Sequence, residues 1–398
     1  MTAKRPLVLL IVLSGLIISL CMGLRQSLGL FMRPMGADLG ITAAAFGFSI
    51  ALQNIIWGLA QPFAGAVADK HGPRPVIFVT ALIFAGGLLL FMSPNVIPGG
   101  LVLAGCMLGV GTTGFSTLYG AINRRTSPQK RSQTVGLVAA AGSLGTMVIA
   151  PLGGALIDGP GWHTGIVVFA VLGAMMALLA LPISESQPQG IAQKTNLRDA
   201  LREALGHRGY LFMTLAFFAC GFQLVFLTTH LPSYLALCGI APGVGATALG
   251  LIGLFNAIGT FIFGQLGARY SQKHLLALIY LLRTTFIAAF LVMPVSATST
   301  LIFAAAMGFL WLGVTPLVNG ILSRVFGLTH FNALFGVVFL SHQVGSFFGA
   351  WMGGVVFDLA GNYNFAWGAL IVIGLAAFTL QWLMDERPPT GRVALAGA

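Results

Sequence analysis

Long apolar runs separated by short polar breaks fill the chain from residue 6 to residue 384. Most runs reach the roughly 20 residues needed to cross a hydrocarbon core. Within them apolar and polar positions do not alternate, whereas a membrane barrel shows alternating segments of about ten residues. The pattern predicts twelve membrane helices. We label them α1–α12, near residues 7–33, 43–68, 75–94, 99–123, 133–157, 163–183, 209–235, 244–268, 274–294, 299–323, 332–357 and 364–384. Pro and Gly mark several breaks, among them Ser93-Pro-Asn, Asp158-Gly-Pro-Gly and Ala241-Pro-Gly. The first run, Pro6 to Phe31, is longer than the apolar core of a cleaved signal, about 7–15 residues, and reads as α1. The expected fold class is an all-α polytopic membrane protein, because lipid admits only helices and closed barrels.

The breaks carry an internal repeat. Gly65-Ala-Val-Ala-Asp69-Lys70-His-Gly72-Pro-Arg74 lies between α2 and α3, and a weaker copy, Gly264-Gln-Leu-Gly-Ala268-Arg269-Tyr-Ser-Gln-Lys273, lies between α8 and α9. From Gly65 to Gly264 is half of the 398 residues, so the chain reads as two similar six-helix units. The expected divisions are 1–184, a linker at 185–208, 209–385 and a tail at 386–398. Within the linker, Leu197, Ala200, Leu201, Ala204 and Leu205 share one helical face. That face suits an amphipathic helix lying on the membrane surface.

Composition agrees. Charged residues are 7% of the chain and hydrophobic residues 57%, against about 25% charged in a soluble domain. The net charge of +11 is not a nucleic-acid signal, because the basic residues form no block interleaved with aromatics. Instead, 17 of the 20 Lys and Arg fall on the side of the membrane that holds the two termini, and only Arg33 falls on the other. By the positive-inside rule both termini are cytoplasmic. A basic inner face suits anionic lipid headgroups. The four Cys have no metal-binding spacing and read as reduced core residues.

Two cations remain inside predicted helices, Arg25 in α1 and Arg283 in α9. All nine acids lie at helix ends or in loops. Charge at membrane depth is costly and generally functional, and a guanidinium fork matches a carboxylate. An anionic substrate is therefore the expected partner, with Arg25 the first candidate and Arg283 either a second ligand or a tie to polar groups such as Asn256. His230 and His342 are the histidines well inside helices and could carry a proton. Tyr119, Asn256 and Gln343 are further polar candidates, as are Gln53 and Asn54, while Phe31, Phe226 and Trp311 could wall a site. No Gly-Lys-Ser/Thr phosphate loop is present, and neither a metal cluster nor catalytic chemistry is expected.

The 65–74 hairpin resembles the Gly-x-x-x-Asp-(Arg/Lys)-x-Gly-x-Arg loop of the major facilitator superfamily of secondary transporters. The Ala150-Pro151-Leu-Gly153-Gly154 element is similar to a Gly-Pro-x-x-Gly motif in α5 of many members. The resemblance implies a gate in which Asp69 docks on a neighbouring helix N-terminus, with Lys70 and Arg74 beside it. In the second copy Ala268 replaces the acid, leaving Arg269 and packing. Narrower resemblances, Gly23-Leu-Arg25 through Phe31 in α1 and segments of α7 and α11, point to bacterial relatives of monocarboxylate transporters and oxalate/formate exchangers. Such relatives often carry an acid and an Arg in α8, where this chain has Asn256 and Thr260. The implied function is secondary transport of a small organic anion, a monocarboxylate above all, by a monomer using alternating access. No cofactor is expected beyond a coupled proton. Rival readings are a drug or metabolite exporter of the same fold and a non-transporting sensor or scaffold.

Overall fold

The computed structural model describes residues 7–93, 99–126, 131–183, 197–326 and 331–387. Among the described residues, twelve helices are long and apolar enough to cross a membrane. They are α1 (Leu7–Gln26, continued below), α2 (Ala43–His71), α3 (Pro73–Leu90), α4 (Leu101–Arg125), α5 (Arg131–Asp158), α6 (Trp162–Ala180), α7 (Arg208–Leu237), α8 (Pro242–Gly267), α9 (Gln272–Val292), α10 in two pieces, α11 (Phe331–Ala360) and α12 (Asn364–Trp382). The linker contains a short helix, Leu197–Gly206, that buries Ala200 and Ala204. Residues 185–196 and 388–398 of the expected linker and tail lie outside the described residues.

Two helices differ from expectation. α1 does not stop near residue 33. After Gln26 the chain makes a 3-10 turn, Leu28–Phe31, and a polar helix, Met32–Leu39, that ends at Gly40 with φ 68°. Ser27 allows this by donating its hydroxyl to Gly23 O at 2.7 Å, and Asp38 accepts from Trp162 Nε1 of α6 at 3.0 Å. α10 is not continuous. It runs Ala297–Phe309, breaks, and resumes as Val314–Phe326. Irregular backbone at membrane depth must be satisfied by other protein groups, and what satisfies it here is described below.

α1–α6 and α7–α12 form two units, each with its own apolar core. Leu24, Phe84 and Phe169 lie in the first, and Tyr280, Phe290 and Trp367 in the second. The units meet mainly along α2 against α11 and α5 against α8. The closest approaches are at the end of the bundle remote from the termini, called here the far end. A Cβ at Gly47 would collide with Ala350 O, and one at Gly154 would sit 2.6 Å from Ala246 Cβ. Small residues permit such backbone proximity. Towards the opposite, basic end the described glycines of the same helices have no such neighbours. A Cβ at Gly65, Gly136 or Gly336, on α2, α5 and α11, would meet nothing within 4 Å. Among the described glycines, the close backbone approaches between the units thus lie at the far end and along the middle of the seam.

Candidate functional site

The seam between the units carries a polar chain. Arg25, half-buried on α1, donates from Nη1 to Asn54 Oδ1 of α2 at 3.1 Å. Asn54 is oriented by its own Nδ2, which donates to Ile50 O at 2.8 Å. From the other unit, Gln343 of α11 donates Nε2 to Asn54 O at 2.8 Å. His342 Nδ1 lies 3.1 Å from Gln343 Oε1 and 3.4 Å from Ser346 Oγ. Asn54, Gln343 and Ser346 are fully or almost fully buried. Arg25 therefore does not turn outward to the membrane surface. It points into the seam, about 27 Å along α1 from Leu7 at 1.5 Å per residue.

Trp57 completes this cluster. Its ring lies 5.0 Å from the Arg25 guanidinium carbon, a cation–π distance. It also meets Phe339 of α11 edge-on at 5.1 Å, and Phe339 stacks on His342 at 6.0 Å. Sequence reading overlooked Trp57. Its signal was the helical spacing of three residues after Asn54, which puts both on one face. The three expected wall residues lie elsewhere: Phe31, Phe226 and Trp311 are buried inside their own units. Arg25 Nε is buried without a hydrogen-bond partner, so the guanidinium retains unused donor capacity.

Arg283 and Asn256 bond chiefly outside this cluster, although Cys220 of α7 adjoins both Arg283 and His342. Arg283 is fully buried and donates Nε to Leu310 O at 3.0 Å and Nη2 to the same oxygen at 2.6 Å. Nη2 also donates to Trp311 O. These are the carbonyls released by the break in α10. Asn256 Oδ1 accepts from Leu312 N at 2.9 Å in the same break and from Thr260 Oγ1 at 3.1 Å. Its Nδ2 donates across the seam to Ser143 Oγ of α5 at 2.9 Å. The two side chains meet through a shared segment of main chain rather than each other, and together they hold the break.

His230 is also committed. It is fully buried, with Nε2 2.7 Å from Ala350 O and Nδ1 3.3 Å from the Tyr363 hydroxyl, tying α7 to α11 and α12. Tyr119 is half-buried on α4 and packs against the first core. Of the expected gate residues, Lys70, Arg74 and Arg269 are exposed at the basic end, and the side chain of Asp69 lies outside the described residues. The hairpin turns at Gly72, whose φ of 84° suits glycine.

At the second hairpin the acid missing at Ala268 has a spatial substitute. Glu386, after α12, accepts from Lys273 N at 3.0 Å and from Arg324 Nη2 at 2.8 Å. Lys273 Nζ donates to Met384 O at 2.8 Å. The carboxylate sits at the N-terminus of α9, where the helix dipole favours it. All these groups belong to one unit, so the contact braces α9, α10 and α12 and does not join the halves. The cysteines are free, as their spacing suggests, but Cys238 is exposed rather than buried.

A bundle of twelve apolar helices in two units, with a cation on the seam at membrane depth, is an architecture suited to a solute transporter. The chain belongs to the Major Facilitator Superfamily, whose profile matches residues 8–327. It is 25% identical over 386 residues to the oxalate:formate antiporter of Oxalobacter formigenes, covering 92% of this chain and 88% of that protein. It is 25% identical over 370 residues to monocarboxylate transporter 13 of Rattus norvegicus, covering 89% and 84%. A solved bacterial homologue of the human lysosomal transporter Spinster superposes with a TM-score of 0.72 at 17% identity, covering 95% of this chain and 92% of the other. That likeness shows the fold.

Proposed function

We propose that this protein is a secondary transporter of a small organic anion, most simply a monocarboxylate, working as a monomer by alternating access. It sits in a bacterial inner membrane with both termini cytoplasmic. The observation that carries the reading is Arg25. It is a cation on the seam, fixed at one corner by Asn54, backed by Trp57, and still holding a buried unpaired Nε. A carboxylate offers both charge and a matching pair of acceptors. The named cargoes of two relatives, oxalate with formate and monocarboxylates, are organic anions too. The basic excess on the side of the termini supports the orientation.

The test is counterflow into proteoliposomes preloaded with individual small anions. Accumulation of one carboxylate, with no response to lipophilic cations, is expected. Accumulation of cations instead would replace this reading with an exporter, and silence with both panels would favour a scaffold.

The surroundings of the two histidines favour His342 over His230 as a group that takes part in transport. His230 is enclosed by Ala350 O and Tyr363, whereas His342 adjoins Gln343 within the Arg25 cluster. His342→Gln is expected to lower counterflow of the anion about tenfold with little loss of thermal stability, because it removes a side chain that adjoins Gln343 in the Arg25 cluster. His230→Gln is expected to keep counterflow per folded molecule and to lose thermal stability, because it removes the tie to Ala350 O and Tyr363. The reverse assignment of the two phenotypes would place His230 in the transport site instead.

A further inference from the structure

We infer that Asp358 is a clasp that holds the far end of the two units shut, and that releasing it is a required step in opening the site to that side. The inference rests on the alternating-access reading. Its evidence is a contact that crosses the seam. Asp358 lies in the last turn of α11, in the second unit. Its Oδ1 accepts from Ala43 N at 3.1 Å and its Oδ2 from Ala44 N at 2.8 Å. Those N–H groups are the first two of α2, in the first unit.

The first turn of any helix presents N–H groups with no partner inside the helix. In α2 the third, Ala45 N, goes to the Thr42 hydroxyl of its own cap at 3.1 Å, and Phe46 N begins the regular ladder by bonding Thr42 O at 3.0 Å. Ala43 and Ala44 are supplied by the other unit. The interaction is charge-assisted at both ends, since an N-terminus carries positive partial charge.

The position of the acid on its own helix sharpens the case. The last turn of a helix favours cations and disfavours carboxylates. An aspartate there opposes α11 locally, and its favourable partner is the dipole of α2. A residue that breaks a local rule while satisfying a contact between moving bodies points to a role in that motion.

The surrounding packing is built for close approach. A Cβ at Gly354, one turn before Asp358, would collide with Ala43 O, and one at Gly47 with Ala350 O. Ala350 O is also the partner of His230, so the clasp sits over a braced stretch of α11. When the far end opens, all these contacts part together, and the two N–H groups pass to water.

The test uses full-length protein in lipid nanodiscs, with no substrate needed. Spin labels are placed at Gly159→Cys and Ala241→Cys, exposed far-end positions in opposite units, in a background lacking the four native cysteines. Inter-label distances are then measured by electron–electron resonance. The wild-type background should show a dominant short population and a minor long one. Asp358→Asn, which loses the charge and one acceptor oxygen, should raise the long-to-short ratio about tenfold. Asp358→Glu should recover part of the short population. Asp38→Asn, at the same end but bonded within the first unit to Trp162, should leave the ratio unchanged. A ratio within twofold of wild type in Asp358→Asn, with two populations present in both, overturns the clasp and leaves alternating access standing. A single population in every variant overturns alternating access and the clasp together. An equal shift from Asp38→Asn overturns the clasp in favour of a general charge effect.

Discussion

Replacing Arg25 with Gln is expected to reduce counterflow of the transported anion at least about 100-fold, equivalent to roughly 2.7 kcal/mol. That is the scale of one or two hydrogen bonds between charged groups in a site shielded from water. Folding should survive. The native fold draws on Arg25 through one hydrogen bond to Asn54 and the face of Trp57, and a Gln amide can still donate towards Asn54. Its stability should stay within about 1 kcal/mol of wild type, and the protein should elute as a single species. Arg25→Lys separates charge from geometry. The ammonium keeps the attraction but loses the planar fork, so an intermediate rate with weakened apparent affinity is expected. Wild-type counterflow in a monodisperse Arg25→Gln protein would remove Arg25 from the site and leave the transported anion without an assigned cation.

Much of the architecture was legible in the chain because lipid simplifies the problem. Spanning elements must satisfy their own backbone, so an apolar run of sufficient length is a helix. The hairpin repeat then divides the twelve into two sixes. The breaks inside α1 and α10 were not legible. Ser27 resembles any other small polar residue in a run, and Leu310-Trp311-Leu312-Gly313 is as apolar as its neighbours. What permits the break in α10 is Arg283 and Asn256, which arrive from α9 and α8. A partner that is main-chain carbonyl leaves no mark in sequence. For the same reason the sequence left Arg283 open between a second ligand and a tie to side chains such as Asn256, when its acceptors are the main-chain Leu310 O and Trp311 O.

The candidate site was legible in its residue types but not in its grouping. Arg25, Asn54, His342 and Gln343 could each be chosen as polar groups at membrane depth, but Tyr119, His230 and Asn256 satisfied the same criterion. Only the crossing of α1, α2 and α11 sorts them. Sequence likewise gives no direct view of contacts between units. Glu386 at the second hairpin and Asp358 at α2 are acids at helix ends, unremarkable until the fold shows which N-termini they face.

Arg283→Met is the substitution that should most damage the fold itself. The methionine approximates the arginine stem in volume but donates nothing. Leu310 O and Trp311 O would then lie at membrane depth without their charged donor, and Arg283 supplies all three of the side-chain hydrogen bonds it makes to them. Leaving buried acceptors unsatisfied costs about 1–3 kcal/mol each, so a loss of roughly 3–5 kcal/mol is expected, seen as aggregation or a large fall in thermal midpoint in detergent. Asn256→Leu frees Leu312 N of the same break and should cost less, about 1–3 kcal/mol. Because both changes disrupt one segment, the double variant should lose less than the sum of the two, as neighbouring sites do. The converse result would be equally informative. An Arg283→Met protein as stable as wild type but unable to transport would mean that the α10 break satisfies itself, and that Arg283 acts on the substrate during the cycle.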